Sequence, residues 1–131
     1  MNLYLDSSAL LKRYLEEDGR DLITAALSSP GLRTASRLTF VETMRGLSGA
    51  PEQSIQARRD WPTISFIELS GVVCERAVSV AERRGLKTLD AIHLASALVL
   101  EPDAVVFATF DRRLHAAARA EGFETRPAAL G

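Results

Sequence analysis

The sequence contains little of what marks several large classes of protein. One cysteine, Cys74, occurs among 131 residues, so no internal disulfide can form, and such a chain suits a reducing compartment. No apolar run reaches the ~18 residues that a membrane span requires, and the N-terminus lacks the apolar segment of a signal peptide. With a formal net charge of -1, the chain lacks the excess of basic residues that is typical of a general nucleic-acid binder. We therefore expect a cytoplasmic protein without membrane contact, in which any basic surface is local.

Short apolar segments and helical patterns alternate along the chain, which is long enough to bury an ordinary core. The predicted strands cover 2–6, 32–35, 65–69, 104–109 and 123–126. The predicted helices cover 7–17, 19–28, 37–48, 70–84, 88–100 and 111–121, with a further helical arm around Glu52–Asp60 in the poorly patterned segment 50–64. This alternation predicts one α/β domain, residues 1–131, with a parallel sheet covered by helices on both faces.

Two acidic residues follow predicted strands. Asp6 ends the first strand, in "NLYLDSSALL", and Asp111 comes directly after "AVVFATF", residues 104–110, in which Thr109 is near the strand end. In open α/β sheets ligands bind at the carboxyl ends of the strands, so both acids reach one edge of the sheet if these strands are parallel neighbours. The alternative is that each acid only caps the N-terminus of the helix that follows it and binds no ligand.

A third acid, Glu42, lies on a predicted helix in "SRLTFVETMRGL", residues 36–47. Its position is roughly opposite the apolar side that carries Phe40 and Met44, so it faces either solvent or a cleft. A solvated glutamate paired with Arg45, three residues further on, is the simpler alternative.

The segment 86–100, "LKTLDAIHLASALVL", is apolar on nearly all sides, which predicts an extensively buried helix. Asp90 and His93 interrupt this surface three residues apart, on one face. A carboxylate on a buried helix is costly unless it is paired, hydrogen-bonded or coordinated. Asp90 could instead serve the helix dipole after a cap at Thr88, and His93 could be an ordinary hydrogen-bonded residue of the core.

A convergence of these acids would suit a hard divalent cation. Mg²⁺ and Mn²⁺ take oxygen ligands, usually a few carboxylates together with water and substrate phosphate. Carboxylates that are brought together without a cation repel one another, so some of them stay protonated. A cation removes this repulsion and supports in-line displacement at a phosphodiester.

Four stretches of the chain resemble the PIN-domain ribonucleases and, within them, the VapC-type toxins of toxin–antitoxin pairs. They are "YLDSSAL" (4–10), "FVETMRGL" (40–47), "LKTLDAIHLASAL" (86–98) and "VVFATFDRRLHAAARAEGF" (105–123). They run in order over nearly the whole chain, and 48–64 falls outside the resemblance. The resemblance implies a single PIN-like domain with a five-stranded parallel sheet in the order 3-2-1-4-5, flanked by helices.

The resemblance also implies a site and a reaction. The metal-binding and catalytic acids that it implies are Asp6, Glu42, Asp90 and Asp111. Ser8 and Thr109 match small hydroxyl positions that line the site, and His93 matches a supporting position that is not a metal ligand. The implied reaction is hydrolysis of RNA by a Mg²⁺- or Mn²⁺-dependent endoribonuclease, which leaves a 5′-phosphate and a 3′-hydroxyl.

The implied partners are RNA, a VapB-like antitoxin and a second copy of the chain in a homodimer. The candidate RNA-binding residues are Arg13, Arg37, Arg45 and Arg112. For each arginine, a solvated position on a helix face is the alternative. We expect the antitoxin and the second subunit to contact exposed apolar residues in 7–17 and 37–48, together with the arm in 50–64.

Other protein classes also place acids beside a parallel sheet. A receiver domain needs an aspartate at the end of its third strand, where "SFIEL", residues 65–69, has none. A phosphoaspartyl phosphatase needs Asp-x-Asp after the first strand, where this chain has "DSS". The sequence also has no glycine-rich phosphate-binding motif. The alternative that remains is a PIN-like domain that binds or assembles without catalysis.

Overall fold

Five short parallel strands form the centre of the fold, which a computed structural model describes for residues 1–130. The strands are β1 (Leu3–Leu5), β2 (Arg33–Ser36), β3 (Ser65–Ile67), β4 (Val106–Ala108) and β5 (Glu124–Arg126). Their order in the sheet is β3-β2-β1-β4-β5, and every neighbouring pair is parallel. The predicted fold class and strand order are therefore confirmed.

Seven α-helices flank this sheet within residues 1–130. They are α1 (Ser7–Leu11), α2 (Arg20–Ser28), α3 (Arg37–Gly46), α4 (Pro51–Asp60), α5 (Gly71–Arg84), α6 (Thr88–Ala97) and α7 (Arg112–Ala120). Single 3₁₀ turns, Trp61–Thr63 and Pro102–Ala104, precede β3 and β4. The helical arm predicted in the poorly patterned segment is confirmed as α4. None of the helices in the described part of the chain is both long enough and apolar enough to cross a bilayer.

The first helix is shorter than the apolar pattern predicts. The pattern extends over 7–17, but α1 ends at Leu11. Beyond that point the N–H groups of Lys12, Arg13 and Tyr14 donate to carbonyls three residues earlier, so the backbone tightens into successive turns. Apolar side chains still reach the core from these turns, since Tyr14 is buried. Periodicity alone does not distinguish such turns from an α-helix.

The alternation of side chains along the central strands divides the core into two layers. Tyr4 of β1 lies opposite Phe107 of β4 and packs with residues of α5, α6 and α7. Leu3 and Leu5 point to the other face and pack with residues of α1, α2, α3 and α4. Since β1 is buried on both faces, the residue that follows it emerges from the middle of the sheet rather than from a rim.

Candidate active site

The predicted meeting of the first and fourth strands is present. β1 pairs with β4 so that Leu5 lies beside Ala108, and the next residues, Asp6 and Thr109, extend from the same edge. The Thr109 hydroxyl donates to Asp6 Oδ2 at 2.6 Å. A hydrogen bond of this length to a carboxylate is strong, so it fixes the two strand ends together.

Asp6 is 3% exposed and is held by several donors. Its Oδ1 accepts from the Ser8 hydroxyl at 2.7 Å and from the Ala9 N–H at 2.9 Å, and the second bond caps α1. Burial raises the pKa of Asp6 above its usual value, although Thr109 and Ser8 act to lower it. The capping interpretation is therefore correct, and it leaves the carboxylate at the strand edge where a site is expected.

Asp111 also caps a helix and is tied to the same group of side chains. Its Oδ1 accepts from the Leu114 N–H at 2.9 Å at the start of α7. Its own N–H donates to the Thr109 hydroxyl at 3.0 Å. The Thr109 and Ser8 hydroxyls lie 3.3 Å apart, so the two predicted hydroxyl residues connect the two capping acids.

Asp90 is the acid without a partner. It lies in the first turn of α6 and is half-buried, and no donor within residues 1–130 hydrogen-bonds to its carboxylate. Burial raises its pKa, and the charge of Asp111 raises it further. His93 acts to lower this pKa, while Asp6 and Glu42 have smaller raising effects. The four predicted acids thus interact electrostatically. The cap considered at Thr88 is wrong, because Lys87 is the N-cap and its side chain makes no capping bond.

Glu42 is half-buried and turned towards α6 rather than towards solvent. Its Oε1 lies 2.7 Å from Nε2 of His93 and accepts from the Ser7 hydroxyl at 3.2 Å. Burial acts to raise the pKa of Glu42, but the hydrogen bonds from His93 and Ser7 outweigh it, so the pKa is lowered. The pairing considered with Arg45 is wrong, because the neighbouring helix supplies the partner instead.

One residue beside these acids, Tyr4, was not predicted as a site residue from the sequence. Tyr4 is fully buried in β1, and its hydroxyl lies 3.2 Å from Nδ1 of His93. His93 is 3% exposed, so it is a core residue and a partner of Glu42 at the same time. The available signal was a hydroxyl-bearing ring in a strand that is otherwise aliphatic, since a buried tyrosine usually has a polar partner.

The donor set suits a hard cation, although the side chains do not yet surround one. Within residues 1–130, no three acid, histidine or cysteine side chains form a group ready to hold a metal ion. Free oxygens are nevertheless present, because neither oxygen of Asp90 is bonded, and Glu42 and Asp111 each use only one. Carboxylate oxygens are what Mg²⁺ and Mn²⁺ select, so the residues fit such an ion after side-chain rotation.

A sequence model of the PIN domain family matches residues 3–120. Ribonuclease VapC45 of Mycobacterium tuberculosis (strain CDC 1551 / Oshkosh) is 33% identical to this chain, over 98% of the chain and 96% of that protein. The chain belongs to the VapC group of the PIN-domain family.

Solved structures share the fold of this PIN domain. A toxin–antitoxin complex from Klebsiella pneumoniae contains a chain that matches it with a TM-score of 0.68 and 25% identity, over 85% of this chain and 87% of that one. A chain of VapBC2 from Rickettsia felis, bound to a DNA fragment from its promoter, matches with a TM-score of 0.62 and 12% identity, over 85% and 88%. At 12% identity the second match shows the fold alone.

The four candidate RNA-binding arginines of the PIN domain differ in their surroundings. Arg13 lies 2.9 Å from the Asp60 carboxylate, and Arg37 lies 2.6 Å from that of Glu68. Arg45 and Arg112 are exposed, and within residues 1–130 neither forms an ion pair. Two of the four are therefore more available to a phosphate than the others.

Exposed apolar side chains are present in two of the three segments where partner contacts are expected. Val41 on α3 and Ile55 on α4 are exposed. The exposure expected in 7–17 is not found, because Leu10 and Tyr14 are buried and Leu11 and Leu15 are half-buried. α1 and the tight turns after it direct these side chains towards the core.

The substitution Asp90→Asn is expected to stabilise the metal-free PIN domain at neutral pH, by at most about 1 kcal/mol because solvent screens a half-exposed group. The raised pKa means that the native state binds this proton more tightly than the unfolded chain does. The wild type therefore loses stability relative to the variant as the pH rises above 3.8, the usual value for aspartate, and the difference is complete above the raised pKa.

Urea denaturation in the presence of chelator, over a series of pH values, measures this difference. The matched control is Asp18→Asn, which changes an exposed loop aspartate and is expected to leave stability unchanged. A lower stability of Asp90→Asn at neutral pH would show that the Asp90 carboxylate is stabilised by its surroundings, contrary to this account.

Proposed function

We propose that this VapC-type PIN domain is an endoribonuclease that uses a divalent cation and acts as the toxin of a toxin–antitoxin pair. The observation that carries the proposal is the unpartnered carboxylate of Asp90, which is half-buried and whose pKa is raised by the charges of three other acids. Such a group is suited to a cation that the protein chain itself does not supply. The relative named Ribonuclease VapC45 supports the reaction, and the Klebsiella toxin–antitoxin complex supports the partner.

The oxygens that the protein leaves free are the proposed ligands of Mg²⁺ or Mn²⁺. Asp90 offers both carboxylate oxygens, Glu42 offers Oε2 and Asp111 offers Oδ2. Asp6 offers the remaining lone pair on Oδ2, since one is taken by Thr109. When bound, the cation supplies charge neutralisation for the acids and the phosphodiester and lowers the pKa of water.

The hydroxyl residues position the acids before RNA binds. Thr109 donates to Asp6 and accepts from the Asp111 N–H, so the positions of these two acids relative to each other are fixed. Ser8 donates to Asp6 and accepts from the Phe110 N–H at 2.8 Å. Groups fixed in advance need less reorganisation during reaction, and this lowers the barrier. In the proposed reaction water attacks phosphorus, the bond from phosphorus to O3′ breaks, and a 5′-phosphate and a 3′-hydroxyl result.

Arg112 and Arg45 are the stronger candidates for contact with the RNA backbone. Arg112 follows Asp111 directly in the chain, and neither arginine has an acidic partner in the described residues. Phosphate neutralisation by such groups provides most non-specific affinity for nucleic acid. We also propose a VapB-like antitoxin and a second copy of the chain as partners, with exposed Val41 and Ile55 in the contact segments.

A PIN domain that binds or assembles without catalysis is the second candidate function. One observation favours it, namely that no three side chains of residues 1–130 form a group ready to hold a metal ion. The unsatisfied state of Asp90 argues against it, because a purely structural acid at this position gains nothing from its charged neighbours. Cleavage of RNA distinguishes the two functions directly.

With Mg²⁺ or Mn²⁺ the purified chain is expected to cut RNA from a mixed pool that includes transfer and ribosomal RNA, and to stop when chelator is added. Asp90→Asn and Asp6→Asn are each expected to lower the rate about 100-fold or more, because an amide replaces a charged ligand. Asparagine caps helices as well as aspartate does, so Asp6→Asn retains the start of α1.

The control in this assay is Asp18→Asn, which is expected to cut at the wild-type rate. Equal cutting by the wild type and Asp6→Asn would identify a contaminating nuclease. If no RNA is cut by the wild type with either metal, the nuclease proposal is wrong and the binding function replaces it.

Arg112→Ala is expected to weaken RNA binding several-fold and to reduce the salt slope of the affinity by about 1, as for the loss of one phosphate contact. Arg37→Ala is expected to have a smaller effect, because Arg37 already forms a 2.6 Å ion pair with Glu68. Fluorescence anisotropy over a range of salt concentrations, with each arginine substitution made in the Asp6→Asn protein, measures the RNA affinity and salt slope of both variants. A larger loss in Arg37→Ala than in Arg112→Ala would contradict this assignment.

A further inference from the structure

A chain of hydrogen bonds connects the centre of the sheet to Glu42. The Tyr4 hydroxyl lies 3.2 Å from His93 Nδ1, and His93 Nε2 lies 2.7 Å from Glu42 Oε1. The three residues come from β1, α6 and α3, and Tyr4 and His93 are almost completely buried. The family resemblance supplied Glu42 and His93 as site residues but gave no role to Tyr4.

The direction of each bond follows from the chemistry of its two ends. The Glu42 carboxylate can only accept a hydrogen bond, so Nε2 of His93, which lies 2.7 Å from Oε1, must carry a proton. The hydroxyl of the buried Tyr4 has one proton to donate. Nδ1 of His93 lies 3.2 Å from this hydroxyl, and its lone pair is free when the ring proton is on Nε2. The Ser96 hydroxyl also lies near the Tyr4 oxygen, but its own proton is donated to the Ile92 carbonyl.

We propose that Tyr4 is a positioning residue of the active site, whose hydroxyl donates to His93 Nδ1 and thereby stabilises, together with Glu42, the ring tautomer that holds Glu42. The effect expected on cleavage rests on the proposed function, whereas the hydrogen-bond assignment does not. Tyr4 touches neither RNA nor a cation in this proposal. It acts through the ring of His93.

The opposite tautomer would not hold Glu42. With the proton on Nδ1, the lone pair of Nε2 would face Glu42 Oε1 at 2.7 Å, and two acceptors at this distance repel each other. Glu42 would then be held by the longer bond from Ser7 alone, and the position of its free oxygen would be less well fixed. Second-sphere donors of this kind fix ring orientation and typically change metal affinity or activity by about 10–100-fold when lost.

Tyr4 is well placed to stabilise this tautomer because its ring is fully buried and packed. The ring packs against Phe107 with centroids 4.9 Å apart, and β1 is paired on both sides in the middle of the sheet. The packing needs only the ring, so a phenylalanine would fill the same space. The hydroxyl is thus separable from the core, and this makes Tyr4→Phe a selective test.

The first arm of the test is nitrogen-15 NMR of histidine side chains in the metal-free protein. The wild type is expected to show His93 with the proton on Nε2 and with Nδ1 as a hydrogen-bonded acceptor. Tyr4→Phe is expected to shift the Nδ1 signal towards that of a free acceptor or to introduce the second tautomer. His115, the other histidine of the chain, bonds to the Pro127 carbonyl and provides an internal reference that should not move.

The matched control is Tyr14→Phe, which removes the hydroxyl of the other tyrosine. That hydroxyl donates to Asp60 at 2.6 Å, on a different part of the fold. Tyr14→Phe is expected to leave the His93 signals and the cleavage rate unchanged. A His93 ring that carries its proton on Nδ1 in the wild type, or that is unchanged in Tyr4→Phe, would overturn the assignment.

The second arm measures RNA cleavage in a double-mutant cycle. Tyr4→Phe is expected to lower kcat about 10-fold with little change in KM for RNA. In the His93→Gln background the same change is expected to cost less than about 2-fold, because a glutamine amide donates to Glu42 without any tautomer. An equal loss in both backgrounds would assign Tyr4 a structural role only. If the wild type cuts no RNA, the proposed function fails, and the NMR arm still decides the hydrogen-bond assignment.

Discussion

The hydrogen bond from Thr109 to Asp6 is the interaction on which the rest of the site depends. It exists because β1 and β4 are parallel neighbours in register, so that the residues after Leu5 and Ala108 emerge side by side. A carboxylate that is 3% exposed must be satisfied by donors, and Thr109, Ser8 and the start of α1 provide them. The same donors that make this charge tolerable also determine where it points.

The four acids differ in how completely the protein satisfies them, and this difference gives the site its chemistry. Asp6 and Asp111 are bound by helix starts and hydroxyls, and Glu42 is bound by His93 and Ser7. Asp90 has no such donor and is destabilised by burial and by the other charges. A divalent cation at this edge would satisfy Asp90 and relieve the repulsion among all four. The fold therefore holds three acids in place, and we propose that the fourth is the one that the ion satisfies.

Local patterns in the sequence were sufficient for the order of the elements along the chain and for the helical arm that became α4. The strand neighbours were predicted from the family resemblance and not from these patterns. The patterns were insufficient where the outcome depends on residues far apart in the chain. Glu42 pairs with His93, 51 positions away, rather than with Arg45, and Arg37 is occupied by Glu68. The end of α1 at Leu11 was also missed, because apolar spacing continues through the turns that follow.

Anomalous diffraction from crystals grown with Mn²⁺ tests the central claim most directly, since it locates the ion without any assay of RNA. We predict a peak at the carboxyl ends of β1 and β4, within coordination distance of Asp90 and at least two of the other three acids, after rotation of side chains that now bond elsewhere. Absence of a peak at saturating Mn²⁺, or a peak that Asp90 does not contact, would contradict it.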